Sequence, residues 1–311
     1  MIQPCSLVDP TLCWVHRCPN PCYRRSFLVR TLFASLVLLI CLASPSAAQL
    51  PTFNHVFVVL EENTNYASVI GNSSMPYFNS LASQYGLATQ YYANTHPSIG
   101  NYFMLTTGQI LTNNDSFANT VTADNVVRHL LLAGKTWKAY EEGLPGVGYI
   151  KPDVGKYARR HCPLSYFSDV VNSPTQKQNL VPFTRFATDL ANHTFPAYSF
   201  ITPNLCNDAH DCSLATADSW LKKNIDPLIK SAGFKGGDLL IIAFDESGSD
   251  NTRGGGRVAW VVISPKFSKP AFKSSIVYQH QNTLRLMMQG LGVKTYPGKA
   301  STAGNMAEFF R

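Results

Sequence analysis

The sequence predicts an α/β protein: a mostly parallel central sheet covered by helices on both faces, three layers in all. Three observations predict it. The runs His55–Leu60 and Leu239–Phe244 are continuously apolar, as in strands buried on both sides. Strand-like segments alternate with segments of helical period from His55 to Leu291. Residues capable of chemistry stand just beyond the ends of several strands, where open α/β sheets hold their ligands.

The first residues read as an address. Arg24, Arg25 and Arg30 lead into the apolar stretch Thr31–Ala43, followed by Ser44-Pro45-Ser46-Ala47-Ala48. That order of basic, apolar and small residues is an export signal cut after Ala48. The apolar stretch is short against the ~20 residues of a membrane span, so an uncleaved N-terminal anchor is the alternative. The expectation is therefore a signal peptide over residues 1–48, a single domain over 49–311, and a secreted or periplasmic protein. Five of the eight cysteines (5, 13, 18, 22 and 41) fall in the leader and are not read as a zinc site. In an oxidising compartment Cys206 and Cys212 close a small loop and leave Cys162 free, although three cysteines allow three single pairings.

Composition narrows the class. Apolar residues make up 45% and charged residues only 14%, which is globular rather than disordered. The net charge of +7 is inflated by four leader arginines (17, 24, 25 and 30) set against one acid, Asp9. No Lys/Arg run follows, so nucleic acid is excluded as a partner and an anionic substrate is allowed.

In chain order, His55–Leu60 is the first strand and ends in Glu61-Glu62-Asn63. Tyr77–Tyr85 is amphipathic and helical, with Phe78, Leu81, Ala82 and Tyr85 on one side. Gly86–Tyr92 is a strand. After it, Asn94-Thr95-His96-Pro97-Ser98-Ile99-Gly100-Asn101-Tyr102 opens a helix, with Pro97 suited to its first position. Ser98 then lies in the first turn, beside free N–H groups and the positive helix end. The plain alternative is that Ser98 only caps that helix. Asp124–Leu132 is a helix and Thr136–Tyr140 a strand running into Glu141-Glu142. A basic patch follows at Arg159, Arg160 and His161, a phosphate clamp or simply a solvated face. Phe183–Leu190 is a helix, Ala197–Thr202 a strand ending near Asp208, His210 and Asp211, and Ser219–Ala232 a helix. Leu239–Phe244 runs directly into Asp245-Glu246-Ser247-Gly248. Beyond Gly254–Gly256, Val258–Ser264 is a strand, and His280 opens a helical segment, Asn282–Leu291.

These tips converge if the strands run parallel. Carboxylates, imidazoles and an amide crowded together call for a cation, and a divalent metal answers the need. There is no Gly-x-Ser-x-Gly elbow, phosphate loop or dinucleotide fingerprint.

Five stretches carry a resemblance: His55–Asn63, His96–Tyr102, Pro203–Asp211, Phe244–Gly248 and Tyr278–His280. In this order they resemble the phosphoesterase family of the alkaline-phosphatase superfamily, which includes bacterial acid phosphatases and phospholipases C. The resemblance implies an alkaline-phosphatase-like fold and a metal-dependent phosphoester hydrolase acting through a phosphoserine. It implies Ser98 as nucleophile, with Thr95 as the competing hydroxyl, and Asn101 on the phosphoryl group. Glu62, Asn63, Asp245 and Glu246 become metal ligands. His161, Arg160 and Asp208 become phosphate-binding, and His210 or His280 the acid for the leaving alcohol. Two positions depart from the family pattern. Arg257 stands where many relatives have His, which favours one metal over two. Gly100 stands where Pro is common. The implied partner is a small phosphorylated substrate or a phospholipid headgroup, with no stable membrane span after processing. The short chain favours a phosphatase; the alternatives are a phospholipase C-type phosphodiesterase or a non-catalytic binding protein keeping the fold. The sulfatase motif Cys-x-Pro-x-Arg is absent.

Overall fold

The buried strands predicted from unbroken apolar runs form the middle of one sheet. The structure is a computed structural model that describes residues 50–267 and 269–310. The leader and anchor readings of residues 1–48 lie outside the described residues. The strands are β1 (Val56–Glu61), β2 (Gly86–Tyr92), β3 (Trp137–Glu141), β4 (Leu180–Pro182), β5 (Tyr198–Thr202), β6 (Leu239–Phe244), β7 (Trp260–Ile263) and β8 (Lys273–Gln279). Their spatial order is β4-β3-β5-β1-β6-β7-β2-β8. Every residue of β1 and β6 is buried, as their composition requires. In register, Val58 faces Phe200 of β5 and Ile241 of β6.

All strands run in one direction except β7, which is antiparallel to both β6 and β2. The expected strand Val258–Ser264 is therefore present but reversed. β4 and β8 escape the apolar pattern. β4 has only three residues, and β8 is an edge strand whose side chains are largely exposed.

The helices that matter for the site are α1 (Pro76–Gln84), α2 (Ser98–Thr107), α3 (Val126–Leu132), α4 (Thr184–Asn192), α5 (Leu214–Asn224) and α6 (His280–Gly290). α2 is buried at every position and stops at Gly108, whose φ of 68° suits a helix-ending glycine. Pro97 is the cap before α2 rather than its first residue. The helix expected over Ser219–Ala232 is broken. α5 ends at Asn224, and short helices follow at Asp226–Lys230 and Ala232–Lys235, where Pro227 cannot continue the hydrogen bonding.

Alternation along the strands decides which acids meet. Phe200, on the face of Val58, packs against Tyr102 of α2 at 6.2 Å between ring centres. Phe244, in register with Glu61, packs against Phe78 of α1 at 5.8 Å. Residues 58 and 61 differ by an odd number, so α1 and α2 cover opposite faces. The same alternation sends Glu61 and Glu62 different ways at the end of β1. No helix among the described residues is long and apolar enough to cross a membrane.

Candidate active site

The chain leaves β2, crosses the carboxyl edge of the sheet and enters α2 at Ser98. The serine hydroxyl arrives among oxygens from two other strand ends. Its Oγ is 3.0 Å from Glu62 Oε2, 3.3 Å from Glu246 Oε1 and 3.5 Å from Asn63 Oδ1. Thr95 does not compete, because its hydroxyl donates to the His96 carbonyl at 3.2 Å. Asn63 reaches the cluster from a left-handed backbone, φ 42°, held by its N–H donating to Asp245 Oδ1 at 3.0 Å.

The surrounding groups are buried and mostly acidic. Tyr102, one turn after Ser98, donates to Glu62 Oε1 at 2.6 Å and stacks on His161 with ring centres 5.0 Å apart. His161 Nε2 lies 3.3 Å from Glu62 Oε1 and its Nδ1 3.7 Å from Asp208 Oδ2. His96 holds Glu246 Oε2 through Nδ1 at 2.8 Å. Burial pushes the Asp245 carboxyl up to about 6, Asp208 to about 7 and Glu246 to about 9. Burial, then the charges of Asp245 and Asp208, also raise Glu62. Loss of solvent drives His161 down, so its imidazole is neutral and cancels none of this charge.

Such a cluster fits a cation. Asp245 Oδ2 and Asp208 Oδ2 are buried without a hydrogen-bond partner, a costly state unless something positive binds. Glu62, Asp245 and Glu246 supply carboxylates, Asn63 an amide oxygen and Ser98 a hydroxyl, the all-oxygen set preferred by hard divalent ions. Among the described residues, His, Cys, Asp and Glu alone make no group of three that holds a metal. A cation there would need Asn63 and Ser98 among its ligands.

Three residues with expected roles have other partners in the structure. His280 is fully buried beneath the site: Nε2 contacts the Asp245 carbonyl at 2.6 Å and Nδ1 the Tyr91 hydroxyl at 3.0 Å. Burial lowers it to about 4, and with both nitrogens engaged it holds the Asp245 backbone and donates nothing to a leaving group. Arg160 is drawn aside by Asp153 at 3.0 Å and Asp115 at 3.8 Å. The Asn101 amide is used within the loop before α2. Its Oδ1 accepts from the Asn94 and Thr95 N–H groups at 2.9 and 3.2 Å, and its Nδ2 donates to the Thr95 carbonyl at 2.8 Å and approaches Glu246 Oε2 at 3.5 Å.

The other named residues fall at the rim or in support. Cys206 and Cys212 are bonded, closing the loop that carries Asp208 and His210, and Cys162 is free and buried. His210 is exposed, with Nδ1 2.8 Å from Asp211 Oδ1 and its ring 6.2 Å from that of His161. Arg257 stacks over Tyr66 at 3.8 Å. Gly100 has no room for a side chain, since a Cβ would strike Asn113 Oδ1 and Thr95 Cγ2. Sequence reasoning gave no role to His96, Tyr102 or Asp115. The first two lie in the quoted stretch His96–Tyr102, where one-turn spacing from Ser98 was the available signal for Tyr102.

Comparison with known proteins bears on the family and the fold. The chain is 39% identical over 221 residues to the phosphatidylinositol-3-phosphatase of Mycobacterium tuberculosis, covering 70% of this chain and 72% of that protein. It is 35% identical over 206 residues to an acid phosphatase of Aspergillus fumigatus, covering 63% of this chain and 45% of that one. The chain thus spans about half the length of the fungal relatives it matches. Among solved structures, an alkaline phosphatase superfamily protein from Vibrio parahaemolyticus superposes with a TM-score of 0.57 at 12% identity, covering 83% of this chain and 71% of that one. The lipoteichoic acid synthase of Listeria monocytogenes gives 0.58 at 12%, covering 82% and 76%. Those likenesses show the fold alone. The model of the phosphoesterase family matches residues 72–294. With most of its length inside that match, the chain belongs to the phosphoesterase family of hydrolases acting on phosphoric esters.

Proposed function

We propose that the protein is an exported, metal-dependent phosphomonoesterase that works through a phosphoserine on Ser98. The observation that carries this reading is the approach of Ser98 Oγ to Glu62, Asn63 and Glu246, within 3.5 Å of each. Glu62, Asn63, Ser98, Asp245 and Glu246 would hold a single divalent cation. What such an ion supplies when bound is a lower hydroxyl pKa and neutralised phosphoryl charge.

The chain's own groups do the rest. Ser98 attacks phosphorus and releases its proton towards the carboxylates that already accept it. Tyr102 and His96 fix the two glutamates on either side, so the acceptors do not swing during the reaction. The first turn of α2 presents its positive end to the phosphoryl charge. His161, neutral and stacked on Tyr102, and Asp208 line the phosphoryl side. His210 at the rim protonates the departing alkoxide as the P–O bond breaks. Water then cleaves the phosphoserine, returning Ser98 and releasing phosphate. The names of the relatives support monoesters, including a monoester on a lipid headgroup.

Phosphate release from a chromogenic monoester, with and without chelator, tests the reading. Ser98→Ala is expected to lose at least about a thousandfold in kcat, and acid-quenched wild type to carry covalent phosphate on Ser98. Turnover retained by Ser98→Ala, or undiminished by chelation, would refute it.

A further inference from the structure

The Cys206–Cys212 disulfide closes the short segment that carries both Asp208 and His210, and the reaction scheme gives it no part. The two halves of this segment are fastened differently. Asp208 is held from behind: its N–H donates to the Asn204 carbonyl at 3.0 Å, and its own carbonyl accepts the Glu62 N–H at 2.8 Å. Neither bond involves a cysteine. After Asp208 the chain doubles back through Ala209, whose φ of 75° lies in the left-handed region that an alanine side chain disfavours. The turn brings the His210 N–H onto Asp208 Oδ1 at 2.8 Å and is closed at its far end by Cys212.

His210 depends on that closure. Asp211, between His210 and Cys212, meets His210 Nδ1 and Lys156 Nζ at 2.8 Å each, and its N–H donates to the Leu205 carbonyl at 2.6 Å. His210 and Asp211 are both exposed, so water competes for the side-chain pairs and they hold little on their own. With Nδ1 on Asp211, Nε2 is the ring nitrogen that meets a leaving oxygen. Contacts run unbroken from this ring to the nucleophile. His210 lies 6.2 Å from His161 between ring centres, His161 Nε2 is 3.3 Å from Glu62 Oε1, and Glu62 Oε2 is 3.0 Å from Ser98 Oγ. Both bonded cysteines are half-buried, so a small thiol reaches them, whereas Cys162 is fully buried.

We propose that the Cys206–Cys212 disulfide positions the leaving-group acid, so that its reduction slows hydrolysis of esters with a basic leaving alcohol and spares esters of acidic phenols. The inference rests on the phosphomonoesterase reading, with His210 as its acid, and adds a redox control of that step. A dithiol supplies the electrons: its two thiols become a disulfide as Cys206 and Cys212 become thiols, with two electrons and two protons passing across. The strained turn is then no longer closed. Ala209 relaxes to an ordinary φ and His210 leaves the alcohol side, because opening the segment restores its chain freedom. Ser98, Glu62 and Glu246 stand on other elements and keep their places. An alkoxide needs a proton as the P–O bond breaks, and a nitrophenolate leaves without one.

The test compares ethyl phosphate with p-nitrophenyl phosphate in oxidised wild type, in wild type treated with dithiothreitol, and in the double variant Cys206→Ser/Cys212→Ser. The expected result is a kcat on ethyl phosphate about a hundredfold lower after reduction or in the double variant, the lower end of what a general acid contributes. Turnover of p-nitrophenyl phosphate is expected to stay unchanged, which also shows that the variant is folded and that the thiol has not stripped a metal. In His210→Asn the loss on ethyl phosphate is expected in the oxidised protein already, with nothing added by reduction, since both changes remove one function. Equal losses on the two esters, no loss on either, or losses that multiply in His210→Asn would overturn this inference and leave the hydrolase reading standing. Absence of phosphate release from both esters by oxidised wild type would overturn both.

Discussion

Single residues at this site do different work from what their identities suggest, and burial is the reason. His280 has the side chain of a proton donor, but the two bonds at its ring nitrogens make it a fixed post under Asp245. Asn101 and Arg160 were legible as phosphate-binding types, yet nearer partners claim them: the Asn94–Thr95 backbone for one, Asp115 and Asp153 for the other. A sequence states which bonds a side chain is able to make, not which competitor reaches it first. Ser98 was legible because the serine is placed by its own helix. Glu141 gives a prediction at this scale. Fully buried and touching only Thr202 and Cys162, its carboxyl is raised by burial from the ordinary 4.5 to about 8. A folded-state pKa above the unfolded one means that its contribution is full below about 4.5 and lost as pH rises through about 8. Glu141→Gln keeps the shape and removes the ionisation. Urea unfolding at pH 5 and pH 8.5 should show a flatter pH dependence in the variant, with a gain of a few kcal/mol at the higher pH. Parallel pH slopes for variant and wild type would contradict this.

At the scale of elements, the glycine-rich link between β6 and β7 acts as a backrest for the serine loop. Gly254, at φ 109°, lies so close that a Cβ would strike the Asn94 carbonyl, and one on Gly255 would strike the Thr95 carbonyl. Gly255 N–H also donates to the Ala93 carbonyl at 3.2 Å. Gly254→Ala should therefore push residues 94–98 away from Glu62 and Glu246. The expected outcome is a kcat about a hundredfold lower, the scale of a ~1 Å misplacement, with less effect on melting temperature. Kinetics paired with thermal melts check it, and unaltered kcat would remove the backrest role. The apolar runs exposed β1, β5 and β6 to prediction because both of their faces are covered. β8 stayed hidden because Lys273, Ser275, Ile276 and Val277 face outward, so its pattern is that of a surface loop.

For the molecule as a whole, the folded state gathers the buried carboxyl groups of Glu62, Asp208, Asp245 and Glu246 in one place. A cation bound there binds the native chain and not the unfolded one. At a hundredfold excess over Kd it is expected to add about 2.7 kcal/mol, roughly 5–10 °C in Tm, which chelation should reverse in a calorimeter. An unchanged Tm across Mg²⁺, Ca²⁺, Mn²⁺ and Zn²⁺ would argue against the cation site. The global topology was legible as mostly parallel, while the reversal of β7 was not, because hydrophobicity carries no sign of strand direction. That reversal has a practical consequence. Parallel neighbours must return across the sheet, but β6 and β7 begin and end their connection at the same rim, so residues 245–258 never leave the reactive edge. The same stretch ties the serine loop to its neighbours, since the Asp250 carbonyl meets His96 Nε2 at 3.1 Å, so a change of length here would be felt at residues 94–98 with no strand having moved.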